Sequence, residues 1–129
     1  MCGIVGYTGR RDAVSILLEG LKRLEYRGYD SSGIAINCDG GVSCLRAVGR
    51  IAQLEGLLNG TCIKGTSGIA HTRWATHGAP SETNAHPHCD CKGNIFLVHN
   101  GIVENCDLLR RQLSDEGHTF ASETDTEVI

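Results

Sequence analysis

The strongest structural signal in the sequence is an amphipathic helix that begins after Asp12. Apolar residues recur at three- and four-residue spacing from Val14 to Leu24, so they share one face of a helix. The Asp12 carboxylate can accept hydrogen bonds from the free N–H groups of the first turn. Gly28 predicts an end near Arg27. Such a helix is stable mainly through packing, so the rest of the chain has to supply the surface that its apolar face covers.

Short apolar segments between glycine-containing turns predict the strands that provide this surface. Asp39-Gly40-Gly41 is a hairpin signal between two of them. Residues 95–98 form the most continuous apolar segment of the chain, and we expect a well-formed strand there. The predicted strands are residues 4–7, 34–36, 42–48, 68–73 and 95–98.

Three further helix signals are present. Residues 51–58 carry apolar positions at helical spacing and stop at Asn59-Gly60. Another helix is predicted from about Asn105 to just before Gly117. Thr124 and Glu127 have the spacing of a capping box, which predicts a helix start at that point.

Length and charge exclude several classes of function. The chain has 129 residues, enough for one domain or part of one, and a net charge of −3 without a basic run. We therefore expect no nucleic-acid partner and no membrane partner. Glycines interrupt the N-terminal segment, so it lacks the pattern of a signal peptide, and the sequence predicts a cytoplasmic protein.

The cysteines allow an alternative interpretation. There are seven, an odd number, and without a secretory signal a disulfide framework is a poor explanation for them. Cys89 and Cys91, with His86 and His88 beside them, offer ligands for a small metal- or redox-binding module. The spacing lacks the paired motifs of structural zinc sites. We keep this module as the competing hypothesis and predict neither a metal nor a cofactor.

Cys2 is the first candidate for chemistry. Once Met1 is removed, Cys2 carries a thiol and a free α-amine. Such an amine has a pKa of about 8, so part of it is an unprotonated base at physiological pH. A thiol beside its own base is an activated nucleophile, by the logic of enzymes with an N-terminal threonine. The tripeptide alone is a weak signal, because many proteins have cysteine as their second residue.

Three other positions complement this nucleophile. Arg73 ends a predicted strand and can bind a carboxylate with two hydrogen bonds. Asn100 and Gly101 follow another, and an amide with a backbone N–H makes an oxyanion hole. Asp125 can hold an ammonium group. Each residue has an ordinary structural explanation by itself, but together they describe a site where a thiol attacks the side-chain carbonyl of a free amino acid.

The same residues lie in motifs that resemble the class II glutamine amidotransferases, which are N-terminal-nucleophile hydrolases. Within that group the chain most resembles the glutamine–fructose-6-phosphate aminotransferase family. The resemblance spans essentially the whole chain. It rests on residues 1–6 (MCGIVG), 23–31 (RLEYRGYDS), 71–78 (HTRWATHG), 84–88 (NAHPH), 99–101 (HNG) and 122–128 (SETDTEV).

This resemblance implies roles for individual residues. Cys2 would attack the γ-amide of glutamine, with Asn100 and Gly101 binding the oxyanion. Arg73 would hold the α-carboxylate of glutamine and Asp125 its α-ammonium group. The other implied pocket residues are Thr76 and His77 in one loop, Trp74 near the ammonia exit, Arg27 near the chain terminus, and His86 as a pocket organiser.

The resemblance also implies a fold and a larger context. The fold would be α+β, a four-layer αββα sandwich that is C-terminally truncated here. Residues 1–129 would be the N-terminal part of the amidotransferase domain. A sugar-isomerase half that binds fructose 6-phosphate would lie outside the chain. The parent would be a homo-oligomer that makes glucosamine 6-phosphate. A non-catalytic fragment that keeps the fold is the remaining alternative.

Overall fold

The computed structural model describes residues 1–75 and 78–129. The elements in chain order are β1 (Gly3–Thr8), α1 (Ala13–Leu24), β2 (Ser31–Cys38), β3 (Gly41–Val48), α2 (Ile51–Asn59), β4 (Ser67–Arg73), β5 (His88–Cys89), β6 (Phe96–Leu97) and α3 (Cys106–Asp115). Single 3₁₀ turns cover Glu25–Arg27 and Thr126–Val128. The predicted mixture of helices and antiparallel strands, an α+β class, is confirmed.

Four strands form one antiparallel sheet in the order β1-β4-β2-β3. Its register pairs Gly3 of β1 with Thr72 of β4, and Arg73 of β4 with Ser31 of β2. The start of β1, the end of β4 and the start of β2 therefore meet at one end of the sheet. Polar residues that flank these strands are brought together there, although they are far apart in sequence.

Helices α1 and α2 pack on one face of this sheet and bury the core. Asp12 caps α1 as expected, with its Oδ2 accepting from the Ser15 N–H at 3.1 Å. Within the described residues, no helix is both long and apolar enough to span a membrane. The largest buried apolar side chains are Leu17, Leu21, Ile34, Ile36, Ile51 and Leu54.

The opposite face of the sheet is covered by the segment that leads into β5. A Cβ atom placed on Gly33 of β2 would lie only 2.1 Å from the backbone oxygen of His86. Position 33 therefore needs glycine, because this segment crosses the strand in direct backbone contact. The close crossing seats His86 against the sheet, on the side away from α1 and α2.

The strand predicted at residues 95–98 is much shorter than expected. Only Phe96 and Leu97 are in strand conformation, and they pair with the two residues of β5, which is not among the predicted strands. Ile95 is 63% exposed. A ladder extends only as far as its partner strand, and β5 ends at Cys89. The apolar run predicted its strand character correctly but not its length.

The capping box predicted at Thr124 and Glu127 is wrong. The Glu127 carboxylate instead accepts from the Ala121 N–H at 2.8 Å and from the Ser122 N–H at 2.7 Å. Thr124 Oγ1 lies 2.9 Å from His88 Nε2 rather than on a helix terminus. Glu127 thus folds residues 121–127 onto themselves, whereas Thr124 ties this segment to His88 of β5. The helical structure that forms there is a 3₁₀ turn.

Candidate active site

A cavity of about 350 Å³ opens at the end of the sheet where β1, β4 and β2 meet. Most of the residues proposed from the sequence converge on it, and only Thr76 and His77 lie outside the described residues. The predicted residues in its wall are Cys2, Arg27, Arg73, Trp74, His86, Asn100, Gly101 and Asp125.

Cys2 is held next to the end of β4 by the register of the sheet. Its Sγ accepts a hydrogen bond from the Trp74 N–H at 3.1 Å and lies 3.5 Å from the Trp74 carbonyl oxygen. Met1 is 79% exposed and also lines the cavity. The Cys2 nitrogen is part of the Met1–Cys2 peptide bond here, so removal of Met1 would place a free amine at the wall.

Asn100 faces the same end of the cavity. Its Nδ2 donates to the Cys2 carbonyl oxygen at 3.1 Å, and its Oδ1 lies 2.8 Å from His71 Nε2. Gly101 follows with φ +158°, and a Cβ there would lie 2.6 Å from His99 Nε2. Glycine is therefore required beside Asn100, where an amide N–H₂ and a backbone N–H can serve as paired donors.

A buried cation and a buried anion form other parts of the wall. Arg73 is 4% exposed and ends β4, and its Nη2 donates to the Gly78 carbonyl oxygen at 3.3 Å. Asp125 is 5% exposed, and its Oδ2 accepts from the Val103 N–H at 2.7 Å. Charges of opposite sign fixed in one cavity wall suit a zwitterion such as a free amino acid.

Three buried histidines lie in a row whose middle member, His86, is in the cavity wall. The rings of His71 and His86 stack at 4.2 Å, and His86 meets His88 edge-on at 4.5 Å. Burial lowers the pKa of His71 and of His88 to about 4. Burial, and then the charge that His71 can carry beside it, lower the pKa of His86 to about 2. The nearby Arg73 guanidinium acts in the same direction on all three. These rings are neutral near pH 7 and pack as polar core.

Asp30 was not singled out from the sequence, yet it fixes the segment that carries Trp74. Its carboxylate accepts from the Ala75 N–H and, at 3.0 Å, from the Ser31 hydroxyl. Its own N–H donates to the Arg73 carbonyl oxygen at 3.2 Å. The signal was available, because Asp30 lies in the polar, glycine-flanked stretch between α1 and β2.

Other residues of the cavity wall are sequence neighbours of the predicted ones but were not predicted themselves. His99 precedes Asn100, and its Nδ1 lies 3.2 Å from the hydroxyl of Thr126, which follows Asp125. This contact joins the two segments that carry Asn100 and Asp125. The additional wall residues are His99, Ile102, Thr124 and Thr126.

The four residues of the alternative metal module do not converge. His86 and His88 are buried and face each other, whereas Cys89 and Cys91 are exposed. In residues 1–75 and 78–129, no group of three or more histidine, cysteine or acidic side chains is arranged to hold a metal ion. The geometry that this hypothesis requires is therefore lacking in the described part of the chain.

Cys91 has a more reactive environment than an ordinary surface thiol. Its Sγ accepts from the Thr119 N–H at 3.4 Å and lies 3.7 Å from His118 Nδ1, and these contacts lower the pKa of the Cys91 thiol.

We expect iodoacetamide to alkylate Cys91 faster than Cys62, which is also exposed. Peptide mass mapping after limited alkylation measures the ratio. His118→Phe should reduce it, and equal rates in the unaltered chain would contradict the prediction.

Comparisons with known proteins show the family of the chain. A family model of the glutamine amidotransferase domain matches residues 57–129. The chain is 57% identical over 129 residues to glutamine–fructose-6-phosphate aminotransferase (isomerizing) of Pyrococcus horikoshii, covering 100% of this chain and 22% of that protein. The corresponding Clostridium perfringens protein is also 57% identical over 129 residues, with 100% and 21% covered. The chain thus spans about a fifth of the length of these relatives.

Solved structures share the fold. The glutamine phosphoribosylpyrophosphate amidotransferase of B. subtilis, complexed with ADP and GMP, superposes with a TM-score of 0.81 at 30% identity, over 99% of this chain and 28% of that one. A structure described as the allosteric regulatory enzyme of purine biosynthesis gives a TM-score of 0.82 at 31% identity, with 99% and 28% covered. Since the family model covers more than half of the chain, this protein belongs to the glutamine amidotransferase domain family.

Proposed function

We propose that the chain hydrolyses the side-chain amide of glutamine with Cys2 as the nucleophile. The observation that carries the proposal is the convergence of a thiol, an amide donor, a buried cation and a buried anion on one cavity of about 350 Å³. Membership of the amidotransferase family supports the same chemistry. Residues 1–129 then act as the N-terminal part of the glutaminase domain.

Glutamine binds through its two α-substituents. Arg73 receives the α-carboxylate and Asp125 the α-ammonium group, because each is buried in the wall with the opposite charge to its partner. The side chain of glutamine then extends toward Cys2. Thr76 and His77 are proposed to line the same pocket, together with Arg27 and Trp74. His86, neutral and packed against His71, organises the wall without adding charge.

The reaction starts after Met1 is removed. The free α-amine of Cys2 takes the thiol proton, and Sγ forms a bond to the amide carbon. The carbonyl electron pair moves to oxygen, which is stabilised by Asn100 Nδ2 and the Gly101 N–H. As the C–N bond breaks, the α-ammonium group of Cys2 gives its proton to the departing amide nitrogen, and ammonia leaves. Water then attacks the γ-glutamyl thioester, glutamate is released, and the thiol is restored.

The wider role follows from the relatives' names and is also a proposal. The parent enzyme would pass the ammonia to fructose 6-phosphate and form glucosamine 6-phosphate, in the cytoplasm and as a homo-oligomer. Fructose 6-phosphate would contact domains outside this chain. The chain alone is expected to show at most weak glutaminase turnover, since it spans about a fifth of those proteins.

Intact mass spectrometry tests the proposal. The chain is treated with a diazoketone analogue of glutamine, which alkylates a nucleophile that recognises glutamine. We expect a mass lacking Met1 and a single adduct that maps to Cys2, because Sγ lies in the wall of the cavity.

Three controls make the labelling specific. Excess glutamine should protect Cys2, Cys2→Ser should give no adduct, and Cys91→Ser should keep it, since Cys91 lies outside the cavity wall. A chain that has lost Met1 but gains no adduct, or gains one that glutamine does not prevent, would contradict the proposed function.

A further inference from the structure

His71 and Asn100 form a pair that links the core of the sheet to the cavity. His71 lies on β4 and is 0% exposed, so it cannot touch a ligand. Its Nε2 is 2.8 Å from Asn100 Oδ1, while Asn100 Nδ2 is 3.1 Å from the Cys2 carbonyl oxygen. Both ends of the Asn100 amide are therefore engaged, one by the core and the other at the nucleophile.

We propose that His71 is a positioning residue that sets the orientation of the Asn100 amide, so that its N–H₂ group faces the nucleophile. This inference rests on the proposed function, in which Asn100 binds the oxyanion. An amide oxygen only accepts hydrogen bonds, so His71 Nε2 has to carry the hydrogen in this arrangement. His71 thus acts through Asn100 and not on the substrate.

The reverse orientation is unfavourable for two reasons. If Nε2 lacked a hydrogen, it would attract the N–H₂ group of Asn100 and turn Oδ1 toward the Cys2 carbonyl oxygen. Two acceptors, Asn100 Oδ1 and the Cys2 carbonyl oxygen, would then face each other at about the 3.1 Å that now separates Nδ2 from that oxygen. A negative oxyanion would also face an amide oxygen instead of a donor, which removes the stabilisation that an oxyanion hole provides.

The surroundings hold the His71 ring in place and keep it neutral. His86 stacks on it with only 18° between the ring planes. Burial lowers the pKa of His71 to about 4. It outweighs the opposing effects of the Asn100 hydrogen bond, the His99 backbone and Asp30, and the Arg73 guanidinium acts in the same direction as burial. A neutral ring has a single N–H, and the position of that hydrogen decides which end of the amide it can bind.

A spectroscopic measurement tests the orientation without requiring activity. Long-range ¹H–¹⁵N correlation of the histidine rings at pH 7 should show the hydrogen of His71 on Nε2. A hydrogen on Nδ1 would overturn the proposal whether or not the chain acts on glutamine. Absence of Cys2 labelling with the expected tautomer would instead count against the proposed function alone.

Kinetics of Cys2 labelling separate positioning from a general structural role. His71→Phe keeps a stacked ring but removes the donor, and we expect the limiting labelling rate to fall about tenfold to a hundredfold, as for partners that orient a functional group in metal sites. The concentration of analogue that gives half-maximal rate should stay unchanged. His71→Gln, which can restore an N–H donor, should recover part of the rate.

A double-mutant cycle completes the test. In an Asn100→Ala background, His71→Phe should not lower the labelling rate any further, because the amide through which His71 acts is absent. His88→Phe is the matched control, since His88 is buried in the same row but contacts Thr124 rather than Asn100. An equal loss of rate from His71→Phe in both backgrounds, or the same loss from His88→Phe, would overturn the proposal.

Discussion

Replacing Arg73 by lysine is expected to lower kcat/KM for glutamine by about tenfold to a hundredfold, the loss of one strong charge-assisted contact. Lysine keeps the positive charge but cannot offer the paired N–H groups that match a carboxylate. The same variant should act on 4-aminobutanamide, which is glutamine without its α-carboxylate, as well as the unaltered chain does. Ammonia release measures turnover, and the rate of Cys2 labelling replaces it if turnover is too slow.

Asp125→Asn gives the reciprocal result. It retains an acceptor for the Val103 N–H but loses the charge, so its loss of kcat/KM should be confined to substrates with an α-ammonium group. Glutaramic acid, which lacks that group, is the matched substrate. If either variant loses activity equally on glutamine and on its truncated partner, the assigned ends of the pocket are wrong.

Acid should destabilise this fold steeply between pH 6.5 and about 4. The pKa values of His71, His86 and His88 lie below 6.5 in the folded chain, so the unfolded chain binds more protons throughout this range. The free energy of unfolding therefore falls as the pH falls. At pH 5 the difference approaches one proton per histidine, which gives a slope of at most about 4 kcal/mol per pH unit.

Urea unfolding at several values from pH 7 to pH 5 measures this slope. His88→Gln should reduce it by about a third, whatever its effect on stability at pH 7, because one titrating group is gone. Restricting the range to above pH 5 limits the contribution of Glu127, whose pKa is lowered chiefly by the Ser122 hydrogen bonds despite its burial. A free energy of unfolding that does not change over this range would contradict the prediction.

The elements predicted well are those whose signals are local. The cap of Asp12 and the turn before Gly41 depend on residues within a few positions, and both form as expected. The short β6 and the missing capping box at Glu127 depend on partners elsewhere, in β5 and around Ser122. A single sequence does not reveal which distant group a side chain will choose.

The site shows the same division. Cys2, Arg73 and Asn100 were recognisable because reactive or charged residues at strand ends have no use in a core, and motif resemblance added to this. The row of histidines was not predicted as a row. Residues 70–73 of β4 are all buried, so burial does not alternate there and gives no indication of which face His71 occupies. The roles of Thr76 and His77 stay predictions.

The position of β1 at the sheet edge has a practical consequence for producing this protein. Among the described residues, β4 is the only strand that pairs with β1, and the last rung, Gly3 with Thr72, is next to the nucleophile. Met1 already occupies part of the cavity wall, so every residue added before it extends from the mouth of the cavity. An N-terminal affinity tag would block the α-amine and crowd the substrate pocket, whereas a tag fused after Ile129 leaves both free.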